Sequence, residues 1–260
     1  MYKFKCFGIN NTSGNPVILF EDSNLDIEAR LATSKKHNQT CVFVEITSSM
    51  NNLLVDFYYP HMRSPLCLHA MLATSYWYFQ KNPQVSVITL TTKMKSHIVK
   101  AIRYDDFRVA LQLKLKCIKA SDLEINNLAQ LLNIGPALII ATPFIASVGS
   151  PKLFVEVNDI STLQQLRPNL ELITQWGITN HINGIYTYCK NPDGSYTGRN
   201  FNHLNPTLED SATGVAATAL AFALQQDLTM YQGANLNNPC KLEVKYLREI
   251  AEISGLVSVE

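Results

Sequence analysis

No two of the six cysteines stand in a CxxC spacing; Cys6, Cys41, Cys67, Cys117, Cys189 and Cys240 are scattered over 260 residues. Clustered thiolate ligands and a disulfide-stapled scaffold are both disfavoured, so reduced thiols and no metal are expected. Charge is scarce as well. Charged residues make up 17%, and 22 basic against 21 acidic residues leave a net charge of +1. That balance provides no basic stripe for nucleic acid and no attraction to an anionic membrane surface. Long apolar runs are missing too: none reaches the roughly 20 residues that cross a bilayer, and "GPALIIATPF" is interrupted by prolines. The opening "MYKFKCFGIN" lacks the apolar centre of a signal peptide. These absences point to a soluble, cytoplasmic protein with neither nucleic acid nor membrane as partner.

What the chain does have is core. Hydrophobic residues amount to 47%, and the length exceeds the usual single-domain size of about 100–150 residues. "MYKFKCFGI", "NPVILFED", "CVFVEIT" and "NLLVDFYYP" are β-branched and aromatic runs that predict strands. A helix is expected between Asp22 and His37. "PLCLHAMLATSYWYF" (65–79) is apolar round its whole circumference, which predicts a buried helix. "VSVITLTT", "HIVKAIRYDD" and "RVALQLKLKCI" predict three more strands. Near Lys119 the pattern begins again. Ser121 and Glu124 have capping-box spacing before a helix, "PALIIATPF" and "KLFVEVND" read as strands, and "ISTLQQLRPNLELITQWG" as a helical stretch with an internal proline. "INGIYTYCK" and "SYTGRNF" flank an "NPDG" turn. "LEDSATGVAATALAFAL" supplies a second all-apolar helix, and "CKLEVKYL" and "EISGLVSVE" close as strands.

A helix apolar on every side must be wrapped, and a curled sheet is the economical wrapper. The reading is therefore α+β: two pseudo-symmetric domains, each a barrel-like sheet around a central buried helix. The boundaries are 1–118 and 119–250, with the last strand, 251–260, as a candidate to complete the first domain.

The first turn of a helix leaves backbone N–H groups unpaired at the positive end of the dipole, a place for a carboxylate. In "EDSATGVAA", Asp210 or Ser211 could cap, Thr213 offers a hydroxyl and Gly214 exposes backbone. In "PLCLHAML", His69 falls in the first turn, and histidine is the residue type suited to proton transfer near neutral pH. Two such mouths facing one interdomain cleft would supply two proton-handling groups. Cys67 and His69 stand two apart, a spacing that on a helix does not bring side chains together, so a cysteine-dependent hydrolase is disfavoured.

"GRNFNHLNPTLEDSATGVAATALAFAL" resembles the signature of the PhzF-like proteins of phenazine biosynthesis, an Arg-x-Phe segment leading to Glu-Asp-x-Ala-Thr-Gly-Ser-Ala. "SGNPVILFED" is similar to that family's Gly-Asn-Pro strand, "PLCLHAMLA" to its Cys-Gly-His-Ala-Thr helix start, and "VGSPKLFVEVND" to the strand opening its second domain. The resemblance implies the diaminopimelate-epimerase fold and a homodimer. It implies an isomerase that shuttles a proton on a small carboxylated metabolite in the cleft, without a cofactor. His69 and Asp210 take the positions of the family's catalytic histidine and aspartate. The family's catalytic glutamate does not carry over: "QTCVFV" places Thr40 there, with Gln39 beside it. Glu45 lies farther along the strand, on the other side by alternation. The resemblance assigns Gln39, Leu68, Thr213, Gly214 and Val215 to substrate binding. Leu68 replaces a glycine and Val215 a serine. Epimerase relatives use two cysteines as acid and base; here Cys67 lies near the first position but Thr213 occupies the second. The alternative is a pseudoenzyme that binds a small ligand or serves in assembly.

Overall fold

The β-branched and aromatic runs form strands throughout the computed structural model, which describes residues 1–21, 24–49, 51–202 and 209–260. The chain divides into two units, residues 1–113 with 252–260 and residues 114–251. In chain order the first half holds β1 (Tyr2–Gly8), β2 (Asn15–Glu21), α1 (Ile27–His37), β3 (Thr40–Ile46), β4 (Asn52–Tyr59), β5 (Met62–Ser64), α2 (Leu68–Lys81), β6 (Val87–Thr92), β7 (Ile98–Arg103) and β8 (Val109–Lys114). The second holds β9 (Cys117–Ala120), α3 (Ile125–Leu132), β10 (Phe144–Ser147), β11 (Lys152–Glu156), α4 (Ile160–Gln165), α5 (Leu170–Asn180), β12 (Ile185–Lys190), β13 (Tyr196–Phe201), β14 (Glu209–Asp210), α6 (Gly214–Leu224), β15 (Leu228–Gln232) and β16 (Cys240–Tyr246). β17 (Ile250–Ser254) and β18 (Leu256–Val259) end the chain.

The two units repeat one pairing rule. In the first, β1–β2 is antiparallel, β2–β3 parallel, β3–β4 antiparallel, β4–β6 parallel and β6–β7 antiparallel. In the second, β10–β11, β11–β12, β12–β13, β13–β15 and β15–β16 follow the same succession. Parallel neighbours need a crossover, and the same two occur in each unit. One runs through α1, or through α4 and α5. The other runs through a short strand and then α2, or α6. In the first unit β7 pairs with β8, β8 with β17, and β18 with β1, so the ring of strands closes.

α2 touches β1, β2, β3, β7 and β18, and α6 touches β10, β15 and β16. Both helices are buried nearly all round. Their serine and threonine hydroxyls bond the helix itself: Thr74 Oγ1 donates to Ala70 O, Ser75 Oγ to Met71 O and Thr218 Oγ1 to Gly214 O, each at 2.8 Å. Back-bonding of this kind lets serine and threonine sit in an apolar interior. The remaining helices pack on outer sheet faces. Ile18, Cys41, Phe43 and Tyr58 form one such cluster with Leu31 of α1, and Leu153, Val155 and Ile185 belong to another with Leu128, Leu163 and Ile173.

Local expectations shift in several places, and two runs expected as single strands, "RVALQLKLKCI" and "EISGLVSVE", are each split into two, β8 with β9 and β17 with β18. α1 starts at Ile27 behind the Asp26 cap, whose side chain accepts from Ala29 N; the expected start, Asp22, lies outside the described residues. The Ser121 capping box does not form. α3 begins only at Ile125, and Ser121 Oγ instead accepts from Leu123 N in a tight local turn. "PALIIATPF" is a short 3-10 turn and an irregular segment before β10, because Pro136 and Pro143 cannot donate to a ladder. Pro168 splits the long helical stretch into α4 and α5.

Candidate active site

Register alone sets out the second unit's polar row. β11–β12 places Phe154 beside Tyr186, β12–β13 places Tyr186 opposite Asn200, and β13–β14 places Asn200 opposite Asp210. Facing residues share a sheet face, so Asp210 shares its face with Asn200 and Tyr186. Glu209, opposite Phe201, points the other way. There it meets a fork of Arg199: Nε to Oε1 at 2.8 Å and Nη2 to Oε2 at 2.7 Å. Arg199 Nη1 also donates to the carbonyls of Leu163 and Leu166 at the end of α4. A bidentate pair of this kind is strong and directional. It occupies Glu209 in holding β14 to β13, and Asp210 is the acid on the side of α6.

The two-residue strand β14 ends at Asp210, and α6 begins four residues later with Thr213 as N-cap. Neither Asp210 nor Ser211 caps, contrary to expectation, because Asp210 is still in a strand. Thr213 Oγ1 instead donates to Asp210 Oδ2 at 2.7 Å. No side-chain bond closes the helix, and helix geometry leaves the first amides, Gly214 and Val215, without intrahelical acceptors. Gly214 is buried and Val215 half-buried.

Side chains without a role in the sequence reading lie around Asp210 and Thr213. Gln232, at the end of β15, donates from Nε2 to Asp210 O (2.6 Å) and Thr213 Oγ1 (3.0 Å). Its Oε1 accepts from Thr213 N (3.2 Å) and Tyr186 OH (3.0 Å). Lys152, the first residue of β11, is buried with its Nζ on Asn183 O at 2.6 Å. Burial pulls its pKa down to about 8, against the upward pull of the Asp210 charge. Burial, and then Asp210, push the Tyr186 hydroxyl far above its usual range and the Cys240 thiol up to about 12. Cys240 is therefore no thiolate nucleophile. One sequence signal existed: Leu228, Met230 and Gln232 alternate as buried residues, and a glutamine in such a series is conspicuous.

In the first unit the equivalent helix, α2, starts at Leu68 with Cys67 as N-cap. Leu68 and His69 are both buried. Cys67 has extended backbone, φ −144° and ψ 100°, so the helical spacing rule does not apply to it. Its Sγ lies 3.4 Å from His69 Nδ1 and 3.6 Å from Nε2, against the expectation that the two do not meet. Near-equal distances put the sulfur along neither nitrogen's lone pair, since alignment with one would leave the other much farther away. The contact is packing rather than a thiol–imidazole proton bond.

Thr40 opens β3 and is buried. Alternation groups it with Val42 and Val44, while Cys41 and Phe43 face α1. Glu45 falls on the α1 side and accepts from Arg30 and Lys93, the Lys93 bond chiefly holding its carboxyl below the usual range. Gln39, half-buried, closes the α1–β3 turn through its backbone: its N–H donates to Ser34 O and its carbonyl accepts from Ser34 Oγ. Asp210, Thr213, Gly214 and Val215 thus converge at one helix start in the second unit. Leu68 and His69 lie at the matching start in the first, with Gln39 and Thr40 on β3 and its preceding turn. Among the described residues no three His, Cys, Asp or Glu side chains are grouped to hold a metal ion, and no helix is long and apolar enough to cross a membrane.

A sheet wrapped round one buried helix, twice in one chain, defines the diaminopimelate-epimerase-like class of folds. Two solved structures superpose over nearly the whole chain. One is a PhzF-family phenazine biosynthesis protein of Bacillus anthracis: TM-score 0.83, 16% identity, 99% of this chain and 95% of that one. The other is a predicted epimerase of Pseudomonas aeruginosa: TM-score 0.83, 19% identity, 100% and 96%. An uncharacterized isomerase of Clostridium acetobutylicum is 23% identical over 282 aligned positions, covering 100% of this chain and 89% of its own. The phenazine biosynthesis-like (PhzC-PhzF) family matches residues 5–257, and the chain belongs to that family.

Proposed function

We propose that the protein is a PhzF-like isomerase that moves a proton on a small carboxylated metabolite without a cofactor. Asp210 and His69 are the proton-handling groups, and the amides of Gly214 and Val215, next to the Thr213 N–H that Gln232 Oε1 takes up, hold the substrate carboxylate. The observation that carries this reading is the Asp210–Thr213 contact at a helix start whose N-cap, Thr213, makes no side-chain bond to the helix amides. It sets a carboxylate beside amides suited to an anion. Soluble, cytoplasmic and homodimeric behaviour belongs to the same proposal. Deuterium uptake from heavy water into a panel of small carboxylates tests it. An Asp210→Asn variant should exchange about 10²–10⁴-fold more slowly than wild type. Equal rates for every substrate would sink the assignment.

A second reading is favoured by Thr40: a hydroxyl cannot act as a general base near neutral pH, and no carboxylate replaces the family's glutamate on that face of β3. On this reading the fold binds its ligand without turning it over. A Thr40→Glu variant that gains isomerisation, on substrates which wild type binds unchanged, would establish it.

A further inference from the structure

Gln232 is 2% exposed, yet its amide makes four hydrogen bonds, and their directions fix the proton of a fifth. The Nε2 side faces two oxygens, Asp210 O and Thr213 Oγ1, while the Oε1 side faces two donors, Thr213 N–H and Tyr186 O–H. Reversing the amide would set oxygen against oxygen and N–H against N–H, so only one orientation satisfies all four neighbours. With Thr213 Oγ1 already accepting from Gln232, its own hydrogen is directed to Asp210 Oδ2, 2.7 Å away. The chain from Tyr186 through Gln232 to Thr213 therefore sets the orientation in which the Asp210 carboxylate is presented. Gly233 allows the approach. It follows Gln232 with φ +83°, and an added Cβ would lie 2.3 Å from Asn238 O and 2.7 Å from Ser211 O. Only glycine lets the end of β15 press against the Asp210–Thr213 segment.

We propose that Gln232 is the positioning residue of the α6 helix mouth, fixing the Thr213 hydroxyl on Asp210 and so the geometry in which Asp210 exchanges its proton. The inference rests on Asp210 being the proton-handling group proposed above. Loss of this support acts on orientation rather than on substrate affinity, and small misplacements of a reacting group are costly.

Gln232→Met keeps the length and removes all four bonds. It should lower kcat for deuterium exchange by about 10–100-fold while KM stays within about threefold, the pattern of an interaction needed for the chemical step. Gln232→Glu keeps the acceptor oxygen facing Thr213 N–H and Tyr186 O–H but has no donor until it is protonated, and then only one, for Asp210 O or Thr213 Oγ1. Its activity should recover as pH falls, a pH profile that neither wild type nor Gln232→Met should show. Amide hydrogen exchange followed by NMR provides a readout free of turnover. Thr213 N–H should exchange at least tenfold faster in Gln232→Met, with Ala216 and Ala217, which bond Thr213 O, little changed. If Gln232→Met fails to fold, Tyr186→Phe removes one bond only and should lower kcat several-fold at constant KM. Unchanged kcat in a folded Gln232→Met, or unchanged protection of Thr213, overturns the inference. If wild type exchanges no substrate, the isomerase reading falls, and the Thr213 amide alone decides whether Gln232 holds the helix mouth.

Discussion

A lysine ammonium taken out of water loses solvation that a single carbonyl cannot replace, and Lys152 is 2% exposed with one bond to Asn183 O. Its pKa falls from 10.5 to about 8. Between those values the unfolded chain binds more protons than the folded one, so stability rises with pH across that window. The cost is fully present below about pH 8 and gone above about 10.5. Lys152→Met should therefore stabilise the protein at pH 7 by up to ~3 kcal/mol, less ~1 kcal/mol for the lost bond. The gain should shrink as pH rises past 8. Urea midpoints at pH 7 and pH 10 check this; the same difference at both would contradict it. Legibility at this scale was uneven. Alternation from Val42 to Glu45 placed Glu45 away from Thr40, as the strand does. The roles of Lys152 and Gln232 come from partners 31 and 19–46 residues away, which no local pattern records.

Elements whose signal is intrinsic were legible, and those made by partners were not. The two internal helices declare themselves, because side chains apolar on every face leave no surface for water. The caps were harder. Asp210 and Ser211 have the chemistry of an N-cap, but Asp210 is drawn into a two-residue strand by pairing with Asn200. The cap passes to Thr213 as a result. Cys67 shows the same limit from the other unit. Its spacing from His69 excludes contact on a helix but not from a cap with extended backbone. The aligned caps, Cys67 and Thr213, make His69 the partner of Val215 and Asp210 the partner of Ser64 in the repeat. The two helix starts thus share a backbone plan but carry different titratable side chains, the asymmetry that the proposed pairing of one acid with one base would use.

At the scale of the whole chain, the two units differ in how they are completed. The second lies in one continuous stretch, 114–251, whereas the first needs the last nine residues, 252–260. β17 supplies the pair for β8, and after Gly255 β18 supplies the pair for β1. Glu252 fastens this closure by accepting from Tyr104 OH and Gln112 Nε2, the latter at 2.9 Å. Truncation after residue 251 takes β18 from β1 and most of β17 from β8, and unpaired edges invite proteases and other chains. It also strips α2 of its contact with β18. The second unit loses no strand. Limited proteolysis with mass spectrometry should therefore digest the truncated protein within residues 1–113 and leave a resistant fragment close to 114–251, while the full chain resists over both. Equal resistance over 1–113 in the two chains would mean that the ring does not depend on its closing strand.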